Sequence, residues 1–177
     1  TSCHGVFQVS GMLKLLSNWG QRTLAVSEDI RDYLIQEYGV PAGHITLTIN
    51  GIDTEKFSPG VSGEAVREEF CLGDDPVIGH VSRLDQASSL AARQLIELAP
   101  QLDRAPGVRI LITGGGDVFE ELDRQAQEVN LKLGRPCVVL TGPRTDINVV
   151  AAACDLFVGV SRSALEAMAA EKPVVLS

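Results

Sequence analysis

Residues 108–133 read VRILITGGGDVFEELDRQAQEVNLKL, and this stretch decides the fold class. Residues 108–113 form a short, nearly unbroken apolar run, the pattern of a strand buried on both faces. Gly114-Gly115-Gly116 close it. Asp117 stands where a helix N-cap is expected, and Val118, Leu122, Val129 and Leu133 then fall on one helical face. The triple glycine reads either as a tight strand-to-helix turn or as backbone that must come close to a ligand.

The same alternation continues on both sides. Toward the N-terminus, residues 77–81 (VIGHV) read as a strand and 88–98 as a helix. Toward the C-terminus come a strand at 137–140, a helix at 146–153, a strand at 156–160, a helix at 163–170 and a strand at 173–176. Apolar strands separated by helices predict an α/β domain built on a parallel sheet covered on both faces. Right-handed crossovers make such a sheet doubly wound and Rossmann-like. Its ligands bind at the carboxyl ends of the strands, near the switch point in strand order. The loops to inspect are those at Arg83, Gly114, Gly142 and Ser161.

A second, smaller strand-helix-strand piece precedes these elements. Residues 22–26 read as a strand, and Ser27 suits an N-cap with Glu28 and Asp29 in the first turn. Ile30, Leu34 and Tyr38 make one apolar face, and Gly39 followed by Pro41 stops the helix. Residues 44–49 read as another strand. Asn50-Gly51-Ile52-Asp53 is turn chemistry, and Ser58-Pro59-Gly60 with Ser62-Gly63 is linker-like. These signals divide the chain into residues 1–59 and 60–177.

Composition narrows the function. The chain has 177 residues, 45% of them apolar, so it is globular rather than disordered. With 15 basic and 23 acidic residues its formal charge is −8. That balance disfavours nucleic acid as a partner, since a broad phosphate-contacting face needs positive charge. An anionic ligand must be met locally, by a few cations or by helix N-termini. The apolar runs are far short of the ~20 residues that span a bilayer. Cys3, Cys71, Cys137 and Cys154 have neither zinc nor disulfide-scaffold spacing, which predicts reduced thiols and a cytoplasmic protein. Thr1 begins no signal peptide, and both ends read as cuts through a longer protein.

Several residues stand at the predicted crevice. Arg83 follows the strand at 77–81 directly; its guanidinium either forks onto phosphate oxygens or pairs with Asp85. Glu166 lies early in the helix after Ser161-Arg162-Ser163. There it either accepts from sugar hydroxyls or serves as a helix-dipole partner. His4, beside Gly5, is a lone histidine with no partner evident in the sequence. The sequence holds no P-loop, G-x-G-x-x-G, H-E-x-x-H, G-x-S-x-G or metal-ligand spacing.

Taken jointly, the segments RTLAVSEDIRDYLIQEYGVPAGHITLTINGIDTEKFSP, VIGHVSRLD, LITGGGDVFEEL and VLTGPRTDINVVAAACDLFVGVSRSALEAMAAEKPVV resemble family 4 (group 1) of the retaining, GT-B-fold glycosyltransferases. TSCHGVF resembles the family's active-site histidine segment. The resemblance runs in order along essentially the whole chain. It implies that residues 1–59 end an acceptor-side domain and that 60–177 form most of a donor-binding domain. It further implies that Arg83 binds the donor diphosphate and Glu166 the ribose. Amides at Arg162 and Ser163, beside Ser161, would cap the phosphates. Thr141, Gly142 and Pro143 would lie beside the base, Gly79, Gly114 and Gly115 along the donor, and His4 near the reacting sugar.

Two positions depart from the family pattern. Ser88 stands where a lysine is usual, and Val158 where the first glutamate of Glu-x7-Glu contacts the donor sugar. The resemblance therefore implies a nucleotide-diphosphate sugar as donor substrate, no cofactor, no metal, and retention of configuration. The acceptor is a sugar, lipid or polysaccharide, and peripheral membrane association through a preceding segment is compatible with it. The isolated fragment is expected to be inactive. A degenerate nucleotide-binding module and a nucleotide-sugar epimerase are the competing functions. Fold alone does not separate these three.

Overall fold

The computed structural model describes residues 1–6, 11–48, 51–104 and 107–177. The chain forms two compact units, residues 1–51 and 52–177. Residues 52–59, read from sequence with the first unit, thus belong to the second. Phe57, within this segment, is buried.

The first unit contains β1 (Ser2–Cys3), α1 (Gly11–Leu16), β2 (Thr23–Ala25), α2 (Glu28–Tyr38) and β3 (Ile45–Leu47). Its strands run parallel in the order β1-β2-β3. The expected helix forms as its caps dictate. The Ser27 side chain accepts from the Ile30 amide, and Gly39, at φ 63°, ends the helix with its amide on the Ile35 carbonyl. Ile30 and Leu34 pack on Cys3, Ala25 and Val40. β1 and α1 carry no sequence signal, because two strand residues and six helical ones are too few to show a period. Phe7 of the histidine segment, Ile49 and Asn50 lie outside the described residues.

The second unit runs α3 (Glu64–Glu69), β4 (Val77–Val81), α4 (Leu90–Leu98), β5 (Arg109–Thr113), α5 (Phe119–Leu133), β6 (Val138–Leu140), α6 (Ile147–Ala153), β7 (Leu156–Gly159), α7 (Ser161–Ala169) and β8 (Val174–Leu176). The sheet is all parallel, in the order β6-β5-β4-β7-β8. The chain builds outward from β4 to β6, then returns to lay β7 on the other side of β4. The switch point is therefore the gap between the carboxyl ends of β4 and β7.

β5 is buried at all five positions. Ile110 and Ile112 pack with Ala92, Leu95 and Leu122 on the side of α4 and α5, while Leu111 packs with Val66, Val150 and Ala153 on the side of α3 and α6. Two covered faces explain the unbroken apolar run.

Three expectations are corrected. Asp117 does not cap α5: it lies within the turn, Val118 occupies the cap position, and no side chain bonds there. The turn is instead closed by Val118, whose amide donates to the Leu84 carbonyl. α7 begins two residues earlier than read, at Ser161. Gly63 is not a free linker, because a Cβ there would sit on the Ala153 backbone, and its smallness lets α3 reach α6. The four cysteines are free thiols, three buried and Cys71 exposed.

Candidate functional site at the sheet's switch point

The register shows how the crevice opens. β4 pairs with β7 only as far as His80 opposite Val158. It pairs with β5 through Val81 opposite Thr113, and the Ser82 and Leu84 amides continue onto the Thr113 and Gly115 carbonyls. The two central strands thus separate after His80. Beyond the split, the segments Val81-Ser82-Arg83 and Val160-Ser161-Arg162 carry the same three residue types on its two sides.

A hollow of about 370 Å³ lies there. The loop after β5 forms one wall with Gly114 and Gly115, and that loop is packed without slack. A Cβ on Gly114, which sits at φ 153°, would collide with the Ser82 carbonyl. Pro143 and Arg144, from the loop after β6, form the next wall. The Gly114 amide donates to the Gly142 carbonyl at 3.1 Å, and the Thr141 hydroxyl bonds Thr113 and the Gly142 carbonyl, so the two loops are tied together. Of the three residues expected beside the base, Pro143 reaches the hollow. Thr141 and Gly142 do not line it; they act from behind.

α7 supplies the third wall through Arg162, Ser163 and Glu166. Ser161 adopts a left-handed φ of 55°, a conformation that costs a non-glycine residue about 1–3 kcal/mol and concentrates at functional sites. It turns the chain sharply from β7 into the helix. No side chain caps this end; the Ser163 hydroxyl donates back to the Val160 carbonyl. The first amides of α7 are thus available to an anion.

Four charged side chains meet at the hollow. Arg83 is 81% exposed and only 3.7 Å from Asp85, so pairing and availability coexist. Hydrogen bonds from Ser88, led by its hydroxyl, hold the Asp85 carboxyl below its ordinary value, with Arg83 contributing. Arg162 and Glu166 pair with each other, 58% and 14% exposed respectively.

Arg144 is the residue that sequence reading missed. Its guanidinium lies on Asp146 at 2.8 and 2.9 Å and on Glu69 at 2.8 Å, above the Phe70 ring. Those hydrogen bonds raise its pKa beyond the usual range. Only the spacing of Arg144 and Asp146 was visible in the sequence. Glu69 is 75 residues away.

The structure does not bring every expected residue to this hollow. Gly79 lies inside β4, where a Cβ would strike the Cys154 sulfur, so its role is packing. Ser88 lines an adjoining hollow instead. Ser161 shapes the turn without lining the hollow. His4 is exposed and follows β1 in the first unit. Among the described residues no group of three His, Cys, Asp or Glu side chains gathers as a metal site. No described helix is long and apolar enough to cross a membrane.

Parallel strands and a crevice at the switch point define an α/β domain of the GT-B type. Residues 75–177 match the family described as glycosyl transferases group 1, and residues 1–56 match glycosyltransferase family 4. The chain belongs to the group 1 glycosyl transferases. It is 31% identical over 121 residues to the GDP-mannose-dependent alpha-(1-6)-phosphatidylinositol monomannoside mannosyltransferase of Mycolicibacterium smegmatis, covering 67% of this chain and 31% of that protein. A glycosyltransferase of Rickettsia africae superposes with a TM-score of 0.76 at 20% identity, over 99% of this chain and 50% of that one. The Anabaena protein HepE, solved with UDP and glucose, gives a TM-score of 0.65 at 27% identity, over 88% and 44%. The chain thus spans half or less of each of these proteins.

Proposed function

We propose that the protein transfers a sugar from a nucleotide-diphosphate sugar to an acceptor hydroxyl, with retention at the anomeric carbon. The observation that carries this is the convergence of Arg83, Arg162, Glu166 and the uncapped end of α7 on one hollow at the switch point. A nucleoside diphosphate leaves readily only if its growing negative charge is stabilised. Arg83, Arg162 and the α7 amides supply that stabilisation without a cofactor or metal ion. Glu166, released from Arg162, accepts from the ribose hydroxyls, Pro143 lies beside the base, and Gly114 and Gly115 lie along the donor.

In the reaction the bond from the anomeric carbon to the β-phosphate oxygen breaks. The acceptor oxygen bonds that carbon on the same face, and its proton passes to the departing diphosphate. The acceptor is a sugar, lipid or polysaccharide hydroxyl. One relative is named for a phosphatidylinositol-based acceptor, and another was solved with UDP and glucose. A cytoplasmic location fits the four free thiols.

The second reading is a nucleotide-binding module without transfer. It is favoured by Val158, which packs against the core where the family's first glutamate is expected. Incubating the full-length protein with radiolabelled UDP-glucose, UDP-galactose and GDP-mannose separates these readings. Label in a new glycoside supports transfer; binding without turnover supports the module; an epimerised nucleotide sugar overturns both.

A further inference from the structure

Two hollows meet at the split between β4 and β7, and Ser82 lines both. The first carries the charged side chains of Arg83, Arg144, Arg162 and Glu166. The second, about 330 Å³, is lined by Ser88, Leu90, Gln94, Val160, Ser177 and small neighbours, and none of the lining side chains is Lys, Arg, Asp or Glu. The first suits a diphosphate. The second suits an uncharged group that bears hydroxyls.

His80 sits beneath this boundary, 1% exposed. Its Nδ1 is 2.8 Å from the Val158 carbonyl, and its Nε2 is 2.9 Å from the Ser82 hydroxyl. A carbonyl only accepts, so Nδ1 carries the proton. Burial lowers the His80 pKa, and the ring is neutral near pH 7. Nε2 is then a lone pair, and the Ser82 hydroxyl must donate to it. With its one proton taken, the Ser82 oxygen offers only lone pairs to a ligand. It attracts an O–H and repels a phosphate oxygen.

We propose that Ser82, held by His80, is the specificity-determining acceptor for a hydroxyl of the donor's sugar, so that the diphosphate stays in the charged hollow and the sugar extends across Ser82 into the uncharged one. His80 is a positioning residue, acting through Ser82. This rests on the nucleotide-sugar reading above and adds which residue senses the sugar.

The test compares two ligands by titration calorimetry, a nucleoside diphosphate (UDP or GDP, whichever binds) and its hexose conjugate. Ser82→Ala is expected to weaken the conjugate about three- to tenfold, the range of one hydrogen bond, and to leave the bare diphosphate within twofold. His80→Asn is expected to do the same in the wild type and nothing further in the Ser82→Ala background. Equal affinities for wild type and Ser82→Ala overturn the proposal, as does an equal loss for both ligands. Should His80→Asn not fold, imidazole ¹⁵N spectra of the wild type replace it. A proton on Nδ1 supports the arrangement, and a proton on Nε2 overturns it. If no nucleoside diphosphate binds the wild type, the nucleotide reading itself fails. Diphosphate binding without a Ser82 effect removes only this inference.

Discussion

Arg162 donates from Nε to the Glu166 carboxylate at 2.8 Å, across one turn of α7. The residue assigned to the diphosphate and the residue assigned to the ribose thus hold each other. A helix pair at this spacing contributes about 0.3–0.5 kcal/mol, and its Arg162 end is exposed to a charged ligand. Glu166→Gln keeps some hydrogen bonding to ribose but loses its charge-assisted part, on the order of 1 kcal/mol. Nucleoside diphosphate affinity is expected to fall several-fold with Tm nearly unchanged. Arg162→Ala is expected to cost ~1–3 kcal/mol of the same affinity, as for a charged hydrogen bond. Calorimetry and thermal melts check both, and an Arg162→Ala variant with wild-type affinity would leave the diphosphate to Arg83 and the amides.

The Arg144 clasp predicts an acid-dependent stability. The Arg144 guanidinium holds the Asp146 carboxyl below its ordinary value. A depressed carboxylate stabilises the fold above its unfolded pKa of about 3.9, and the gain is lost as pH falls through the folded pKa. The Tm advantage of wild type over Asp146→Asn is expected to be present at neutral pH and to vanish in acid, from roughly pH 5 downward. It is small, because Asp146 is 40% exposed and solvent screens the pair. An advantage that persists at pH 2 would contradict the assignment.

Gly114→Ala tests whether the loop after β5 needs glycine. The added Cβ would meet the Ser82 carbonyl, and φ 153° is unfavourable for alanine. The expected loss is about 2–4 kcal/mol of unfolding free energy. Urea titration measures it. A loss below 0.5 kcal/mol would mean that the loop can move aside at little cost.

The first unit is expected to self-associate. Three short strands and α2 leave Leu24 and Leu47 about two-fifths exposed. Light scattering of the purified chain should show concentration-dependent association that Leu24→Lys reduces. A monomer at all concentrations, with slow amide exchange across Thr23–Ala25, would refute this.

Local sequence determined the longer elements, while β1, α1 and α3 carried no signal. The apolar residues Ile110–Ile112 mark a strand covered on both faces, and Ser27 with Gly39 brackets α2, because periodicity and caps act within a few residues. The order of motifs also placed Arg83 just after a strand and Glu166 within the first two turns of a helix. Tertiary structure decided the rest. Which strand lies beside β4, where β7 leaves it, that Ser161 turns left-handed, and that Glu69 answers Arg144 all follow from burying faces far apart in the chain. His80 shows the difference most directly. In sequence it is one polar residue in an apolar strand. Only the arrival of Val158 from 78 residues away fixes its proton and, through Nε2, the direction of the Ser82 hydroxyl.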